Sequence, residues 1–401
     1  MSLKKKPIIL TLTPFYLPGY RGGGPIRSIA NMVDRLSDDY QFLILTSDRD
    51  FDDNVPYPNV KVNAWNQVGN AKVFYASPSM RNIFGITRLL RETEYDLLYL
   101  NSFFSVPFTI FPLIVKWISL IGNKATVVAP RGEFSEGALK LKSRKKSYFI
   151  KLARLMGLYN NVTWHASTAY ERADIQIVMT DKVLPEVAGN ISVAADLTDM
   201  NNSGLKIAVD EKVESSHHLK VCFLSRLSPK KNLDFALSVL ARVSVPVQFT
   251  IYGPQEDLVY WDRCVKLINQ LPAHIIVIYA GSVPHEHVHA SLAKHDLFFL
   301  PTHGENYGHV FIESWFAGLP VLISDQTPWR DLEKRQLGWD LSLDAPDEFV
   351  RALEMAAGFD NIKWERVRQS CIQFAIEQKI GAEALVLNRN LFAGALAAVA
   401  P

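Results

Sequence analysis

Residues 301–320 read PTHGENYGHVFIESWFAGLP, and they follow the apolar run Leu297–Leu300. The apolar run predicts a buried strand, Gly304 and Gly308 predict a turn, and residues 309–317 predict a short apolar helix. A strand that turns directly into a helix presents backbone N–H groups and the positive end of the helix dipole to an anion. We therefore expect a ligand site at this point of an α/β sheet.

Two carboxylates bracket the turn and the helix. Glu305 lies in the turn and Glu313 on the helix eight residues later, a little over two helical turns, so both can lie at the same end of a sheet. A carboxylate accepts two hydroxyl hydrogen bonds, which suits a ribose or a sugar ring, and Gly308 lets a ligand approach the backbone. A helix-capping glutamate plus a solvated glutamate is the alternative.

Strands alternate with helices on both sides of this stretch. Apolar, β-branched runs predict strands at 8–13, 41–46, 60–64, 72–75, 96–100, 125–129, 162–166 and 175–178, and again at 219–224, 247–252, 275–279, 297–300 and 321–323. This alternation predicts an α/β fold with two doubly wound, Rossmann-like parallel sheets. Ligands bind at the carboxyl ends of such strands, so two domains facing each other would form a cleft.

The polar, aperiodic segment 201–218 predicts a linker between an N-terminal domain at 1–200 and a C-terminal domain at 219–380. We expect a last helix, at 381–401, to pack back on the N-terminal domain. A length of 401 residues agrees with two or three domains, and 48% hydrophobic residues suffice for sizeable cores.

Charge and cysteine usage narrow the class of protein. A net charge of only +2 argues against a nucleic-acid binder, and three widely spaced cysteines indicate a reducing cytosol. The start, MSLKKKPIILTLTP, predicts a first strand and not a signal peptide. The apolar stretch 103–121 is interrupted by Pro107, Pro112 and Lys116, which favours a buried or partly interfacial helix over a membrane span.

Two further groups of residues follow predicted strands. Arg226 and Lys231 lie just after strand 219–224, where an arginine can hold two phosphate oxygens and a lysine adds a point charge. Gly22, Gly23 and Gly24 lie after the first strand and before a helix, where glycine loops approach phosphates. A solvated basic loop and a surface turn are the alternatives.

Taken together, these motifs resemble the retaining family 4 glycosyltransferases of the GT-B fold. The resemblance rests on Arg226 and Lys231, on Glu305-Asn306-Tyr307-Gly308 through Glu313, and on AGLPV at 317–321, and it covers nearly the whole chain. The segments PRGEF at 130–134 and SDQTPW at 324–329 resemble a bacterial branch that builds surface polysaccharides.

The resemblance implies a role for each matching position. Arg226 and Lys231 would neutralise the diphosphate of a UDP- or GDP-sugar, Glu313 would hold the ribose, and Glu305 would contact the donor sugar. The backbone from Asn306 through Tyr307, Gly308 and His309 would lie close to the sugar and phosphates, and Gly22 to Gly24 would face the diphosphate.

The resemblance also implies that no metal or other cofactor is needed. The Arg226 and Lys231 pair would supply the charge that Mg²⁺ would otherwise supply. His285, His287 and His289 alternate on a predicted helix, where side chains two residues apart diverge. Ser167 or Thr168 together with Glu171 resembles a capping box, so Glu171 is interpreted as structural.

The sequence departs from the family pattern at three places. Arg131 occupies the region where many relatives carry a histidine near the sugar, so we count it as a catalytic candidate. Asn232 replaces the glycine that usually follows the lysine. Ala194-Ala195-Asp196 replaces an asparagine–glycine pair.

The predicted partners are a nucleotide-sugar donor and a saccharide or lipid-linked acceptor, with no nucleic acid. The basic, amphipathic segment from Lys140 to Arg154 predicts peripheral contact with an anionic membrane. Such contact would place the protein in the cytoplasm at the inner face of the cell membrane. A solvated helix face is the alternative interpretation of this segment. A nucleotide-sugar epimerase and a catalytically silent nucleotide-sugar-binding subunit remain as alternative functions. A phosphorylase would need a cofactor-bearing lysine motif that the sequence lacks.

Overall fold

The computed structural model describes residues 5–135, 138–139, 143–179, 190–198 and 218–399, without the side chains of residues 143, 379 and 380. The chain divides into two compact units. The first consists of Met1–Leu197 and Gly381–Pro401, and the second of Thr198–Ile380. The predicted linker at 201–218 lies outside the described residues except for His218.

The first unit contains an eight-stranded sheet in the order β3-β4-β2-β1-β5-β6-β7-β8. Its strands are β1 (Ile8–Leu12), β2 (Gln41–Ser47), β3 (Trp65–Val68), β4 (Ala71–Ala76), β5 (Leu97–Asn101), β6 (Ala125–Ala129), β7 (Thr163–Ala166) and β8 (Ile191–Val193). All neighbours are parallel except β3 and β4. The strand order reverses direction between β1 and β5, which is where ligands bind in open α/β sheets.

The second unit contains a six-stranded parallel sheet in the order β11-β10-β9-β12-β13-β14. Its strands are β9 (Leu219–Leu224), β10 (Val247–Tyr252), β11 (Ile275–Gly281), β12 (Leu297–Leu300), β13 (Val321–Ser324) and β14 (Gly338–Leu341). Here the strand order reverses between β9 and β12. These two strands are paired, and Val221 of β9 lies opposite Leu297 of β12. The stretch that follows β12 therefore begins at this switch point.

Helices cover both faces of the first sheet and connect the parallel strands of both units. They are α1 (Gly24–Leu36), α2 (Ile83–Glu92), α3 (Phe111–Trp117), α4 (Ser143–Leu155), α5 (Ala169–Met179), α6 (Leu233–Leu240), α7 (Leu258–Ile268), α8 (His285–Leu292), α9 (His309–Phe316), α10 (Pro346–Ala357), α11 (Asn361–Ile380) and α12 (Ala382–Ala397). The strands β1 and β12, one from each sheet, are buried throughout and are apolar along most of their length, as is typical of strands inside parallel sheets.

The two faces of the first sheet form separate cores. Alternate β1 residues point to opposite faces, so Ile9 packs in the cluster that contains α1 and α12, and Leu10 packs in the cluster that contains α2 to α5. Phe392 of α12 lies between Tyr40 and Tyr99, at ring distances of 5.5 and 5.3 Å. The last helix of the chain is therefore part of the first unit's core.

Two predicted strands are wrong. Residues 60–64 form turns, because Asn63 has a left-handed φ of 57° that an extended strand does not allow, and β3 begins only at Trp65. Residues 175–178 belong to α5, whose buried residues Glu171, Ile175 and Met179 recur every four positions. The short strands β8 and β14 were not predicted.

The apolar stretch 103–121 forms a π-helical turn (Val106–Ile110) followed by α3. This agrees with the buried or partly interfacial helix that the sequence predicts. Leu113 and Val115 are buried, whereas Trp117 and Leu120 are about half exposed. In the part of the chain that the structure describes, no helix has the length and apolar character needed to cross a membrane.

Because Phe392 is fully buried, we predict that Phe392→Ala lowers the free energy of unfolding of the first unit by about 3–5 kcal/mol. Urea unfolding followed by circular dichroism measures this loss. The matched control Phe84→Ala removes a largely exposed ring from the first turn of α2 and should change stability by less than about 0.5 kcal/mol. Equal losses in the two variants would show that α12 is not part of the folded core.

Candidate functional site

The loops after β9 and β12 are bonded to each other at the switch point of the second unit. Asn232 donates its side-chain amide to the carbonyl of Pro301 at 2.9 Å, and the His303 N–H donates to the carbonyl of Lys230 at 2.9 Å. Asn232 has a left-handed φ of 62°, a conformation that glycine and asparagine adopt most readily. This explains how asparagine can stand where the family pattern has glycine.

An ion pair joins the same two loops. The Lys231 ammonium lies 2.5 Å from Oε2 of Glu305, and the two side chains are 12% and 20% exposed. Burial raises the pKa of Glu305, but the charges of Lys231, Lys230 and Arg226 outweigh it and lower that pKa from its ordinary value. Glu305 is therefore ionised at neutral pH and can accept hydrogen bonds from ligand hydroxyl groups.

Arg226 is positioned by a residue that the sequence interpretation missed. Its Nη1 donates to Oε1 of Glu256 at 2.9 Å, and Glu256 lies in the loop after the neighbouring strand β10. Oε2 of Glu256 is buried and has no hydrogen-bond partner among the described residues. The only sequence signal for Glu256 was its place four residues after the end of β10.

A glycine brings the β10 loop against the arginine loop. Gly253 has a φ of 137°, and a Cβ atom there would lie 1.8 Å from the carbonyl oxygen of Ser225, the residue before Arg226. Only glycine fits this close approach of two backbones. The Arg226 loop therefore has support on both sides, from β10 and from β12.

The turn before α9 is held by aromatic packing. Gly308 has a φ of 78°, and a Cβ atom there would lie 2.4 Å from the Phe311 ring. Tyr307 packs against His309 and Trp329 at ring distances of 5.0 and 5.6 Å, and the Trp329 indole N–H donates to the Tyr307 carbonyl at 2.6 Å. Asn306, beside Tyr307, is half-buried. No side chain caps α9, so its first N–H groups are not bonded by a cap.

Glu313 lies on α9 and is half-buried. His285 at the start of α8 lies close to it, with 3.7 Å between Oε1 of Glu313 and Nδ1 of His285. The structure thus brings Arg226, Lys231, Glu305 and Glu313 onto loops and a helix at one edge of the second sheet. This arrangement combines two cations for an anion with two carboxylates for hydroxyl groups.

The glycines of the first unit occupy the carboxyl end of β1, as the sequence indicates. Gly23 has a φ of 77° and directly precedes α1, and a Cβ atom on Gly22 would lie 2.9 Å from Cβ of Phe15. Asp50 accepts the backbone N–H groups of Tyr20 and Arg21 at 2.8 and 3.1 Å and so fixes the preceding turn.

Arg131 is enclosed in a buried polar network of the first unit. Its guanidinium is ion-paired with Asp196, and it donates to the Tyr99 hydroxyl at 2.8 Å and to Oδ1 of Asn101 at 2.9 Å. The side chains of Arg131 and Asp196 are only 5% and 3% exposed. The geometry favours a structural role for Arg131, and its catalytic role stays a prediction.

His165 and Glu171 complete this network. Burial lowers the pKa of His165 to about 4, so its Nδ1 accepts from the Tyr99 hydroxyl at 2.7 Å while its Nε2–H donates to the Ala194 carbonyl at 2.8 Å. Glu171 donates its N–H to Oγ1 of Thr168, which confirms the structural interpretation, and its carboxylate also accepts the Gly132 N–H at 2.7 Å. No cluster of three or more His, Cys, Asp or Glu side chains suited to a metal occurs within the described ranges.

The Lys231–Glu305 ion pair predicts how the stability of the protein depends on pH. The pKa of Glu305 is lower in the folded protein than in the unfolded chain, so the ionised carboxylate stabilises the fold. This stabilisation is fully present above the unfolded-state pKa of about 4.3. It is lost as the pH falls through the folded-state pKa. We expect Glu305→Gln to be less stable than the parent at pH 7 and the difference to shrink by pH 3 in thermal unfolding. The control Glu348→Gln, at an exposed pair with Arg351, should change little. A difference that is constant between pH 7 and pH 3 would contradict the ionised pair.

Comparisons with known proteins agree with this fold. Residues 208–355 match the family model "Glycosyl transferases group 1". This matched range contains Arg226, Lys231, Glu305 and Glu313. No curated protein sequence matches the chain significantly.

Solved structures match nearly the whole chain. HepE of Anabaena in complex with UDP-glucose is 16% identical, with a TM-score of 0.65 over 98% of this chain and 100% of that one. Sucrose-phosphate synthase from Thermosynechococcus elongatus is 13% identical, with a TM-score of 0.71 over 98% and 100%. WaaG, a glycosyltransferase involved in lipopolysaccharide biosynthesis, is 13% identical, with a TM-score of 0.60 over 98% and 100%. The chain thus has the fold of the GT-B glycosyltransferases, and most of its second unit matches the group 1 family model.

Proposed function

We propose that the protein is a retaining, metal-independent glycosyltransferase of family 4. It transfers a sugar from a UDP- or GDP-sugar to a saccharide or lipid-linked acceptor in the synthesis of a bacterial surface polysaccharide such as O-antigen, capsule or exopolysaccharide. The observation that carries the proposal is the Lys231–Glu305 ion pair beside Arg226 at the β9–β12 switch point. The cations suit the diphosphate of such a donor, and the carboxylates suit its hydroxyl groups.

Each residue of this edge has a part in binding the donor. Lys231 gives one of its three N–H groups to Glu305, so it retains donors for a phosphate while it stays positioned. Arg226 is oriented by Glu256 and adds a second positive charge. Glu305 and Glu313 accept hydrogen bonds from sugar and ribose hydroxyls, and the backbone around Gly308 allows close approach. The contribution of Gly22 to Gly24 stays the prediction made from sequence.

The transfer step needs no protein nucleophile. The bond between the anomeric carbon and the phosphate oxygen breaks, and its electron pair stays on the phosphate. The acceptor oxygen forms the new bond on the same face, and its proton passes to the departing phosphate oxygen. Arg226 and Lys231 stabilise the charge that develops on the diphosphate, so catalysis consists of positioning and electrostatics.

Two other functions use the same donor site. An epimerase would change the free nucleotide-sugar without an acceptor, and a silent subunit would bind the donor without turnover. The WaaG and HepE structures resemble this chain along their full length, and WaaG is described as a transferase. Release of sugar onto an added acceptor separates the transferase from both alternatives.

We predict that calorimetric titration with UDP, GDP and ADP detects one preferred nucleotide and that EDTA does not change its affinity. Arg226→Ala and Glu313→Ala should each weaken binding by about 2–5 kcal/mol, which is roughly 30-fold or more, because each removes a charged partner of a half-buried contact. The matched control Arg242→Ala, at the exposed pair with Asp347, should bind like the parent.

Each result has a definite consequence. Loss of binding in EDTA would refute the metal-independent site. Parent-like affinity in either site variant would refute the role of that residue. No binding of any nucleotide by the parent protein would refute the donor site itself.

We also propose that α4 contacts an anionic membrane at the inner face of the cell membrane. Tyr148, Leu152 and Leu155 lie on one face at helical spacing and are 79%, 55% and 86% exposed, whereas Ile150 and Ala153 face the core. Exposed Arg144, Lys145 and Lys151 accompany this apolar face, and Lys140 and Lys142 lie outside the described residues. An exposed apolar strip with basic neighbours suits a bilayer surface better than water alone.

Neutralising Arg144, Lys145 and Lys151 with glutamine should weaken binding to vesicles of phosphatidylglycerol and phosphatidylcholine at least tenfold, because each basic residue contributes about 1 kcal/mol near an anionic surface. Vesicle co-sedimentation measures this change. The control Lys266→Gln on α7 should bind like the parent. Equal binding by the triple variant and the parent would rule out this contact.

A further inference from the structure

The guanidinium of Arg81 has no acceptor among the described residues. Arg81 lies in the loop between β4 and α2, where its backbone N–H donates to the carbonyls of Ser77 and Pro78. The side chain is half-buried, and its Nε is buried without a hydrogen-bond partner. A buried guanidinium nitrogen without an acceptor is unfavourable, so this group requires a ligand or a structural explanation.

The nearest carboxylate does not supply the acceptor. Asp48 is buried and already binds Arg49 through both oxygens, with Nε to Oδ1 at 2.9 Å and Nη2 to Oδ2 at 3.0 Å. The remaining Nη1 of Arg49 donates to the Asn54 carbonyl at 2.6 Å. Asp48 is therefore engaged by Arg49, and Arg81 adds a further positive charge near this pair.

The electrostatics of Arg81 agree with this geometry. Burial lowers the pKa of Arg81, Asp48 opposes that shift, and the like charge of Arg49 adds to it. An incoming oxyanion would satisfy the guanidinium and reduce the repulsion between the two arginines.

The position in the fold is that of a ligand site. Ser47 and Ala76 are paired at the ends of the parallel strands β2 and β4, and the Asp48 N–H donates to the Ala76 carbonyl at 3.2 Å. The Asp48–Arg49 and Arg81 loops therefore leave the sheet side by side at its carboxyl edge. The glycine loop after β1 leaves the same edge, and β1 lies two strand spacings from β4, about 10 Å.

We propose that Arg81 binds an oxyanion, a phosphate or a carboxylate, that is carried by the sugar acceptor. Cations of the second unit already account for the donor diphosphate, so a further anion site in the first unit belongs to a second substrate. The assignment to the acceptor rests on the proposed glycosyl transfer, whereas the anion site rests on Arg81 and its surroundings alone. The preceding reaction must then deliver an acidic acceptor, either phosphorylated or containing a uronic acid.

The test follows the Nε–Hε signal of Arg81 by NMR in the full-length protein labelled with ¹⁵N-arginine, and the signal is assigned by its loss in Arg81→Gln. Inorganic phosphate, glucuronate and neutral glucose are titrated separately. We expect a saturable shift with at least one anion and none with glucose. Repeating the titration in Arg226→Ala shows whether the response is independent of the second unit.

Variants separate a binding role from a structural one. Arg81→Lys keeps the charge but loses the fork of donors, and it should bind the same anion at least tenfold more weakly by ligand-observed NMR in the Arg226→Ala background. The control Arg88→Gln, at an exposed pair with Glu92 on α2, should bind like its parent. A shift of the Arg81 Nε–Hε signal with phosphate alone indicates a phosphorylated acceptor. A shift with glucuronate alone indicates an acidic sugar. A shift with both anions supports the site for either kind of acceptor.

Two results overturn the proposal: no saturable shift with either anion, or equal anion affinity in Arg81→Lys and its parent. The outcome is separate from that of the nucleotide titrations. If no nucleotide binds but the Arg81 signal still responds to an anion, the proposed transferase function fails and the anion site stands.

Discussion

The ion pair between Lys231 and Glu305 is the interaction on which the candidate site depends. It crosses the point where the strand order of the second sheet reverses and joins a loop after β9 to a loop after β12. A lysine alone on such a loop would be a mobile charge with high side-chain entropy. Pairing it with a carboxylate on the neighbouring loop fixes its position before a ligand arrives, which is the preorganisation that electrostatic catalysis requires.

The network around Arg131 and the network around Lys231 differ in a way that distinguishes a structural core from a candidate site. Arg131 and Asp196 are almost completely buried, and the arginine's hydrogen bonds go to protein groups. Lys231, Arg226 and the carboxylates around them keep part of their surface in solvent and sit on loops at a strand edge. Both networks contain an arginine or lysine after a strand, so residue type alone does not separate them.

Much of the fold could be predicted because the hydrophobic pattern is strong where strands are buried on both faces. The limits of β12 agree with the sequence prediction, and α9 begins where the glycine turn ends. The errors occur where the pattern is ambiguous. Ile175 and Ile177 alternate like a strand, yet the cap formed by Thr168 and Glu171 starts a helix that buries Ile175 and exposes Ile177.

The candidate site was predictable only where a residue follows a strand in sequence. Arg226, Lys231, Glu305 and Glu313 met that condition, and the structure places them at one sheet edge. Glu256 was missed because its contact with Arg226 joins residues thirty positions apart, and no local pattern encodes such a pair. Arg131 was a catalytic candidate because it stands where many relatives have a histidine, and only the position of Asp196 shows that its charge is paired inside the first unit.

A net charge of +2 conceals how the charges of this protein are distributed. At the edge of the second sheet, Lys231 is paired with Glu305 and Arg226 with Glu256. The proposed site would therefore bind an anion by sharing its cations and not by a general positive surface. In the first unit, Asp48 binds Arg49 through both of its oxygens and forms no ion pair with Arg81. An ion pair with a carboxylate keeps the cation oriented. It also weakens the attraction of the cation for distant anions, because the carboxylate charge a few ångströms away cancels most of the cation's electric field at long range. Selectivity for a diphosphate or an acidic acceptor then comes from geometry at short range, and total charge carries little information about it.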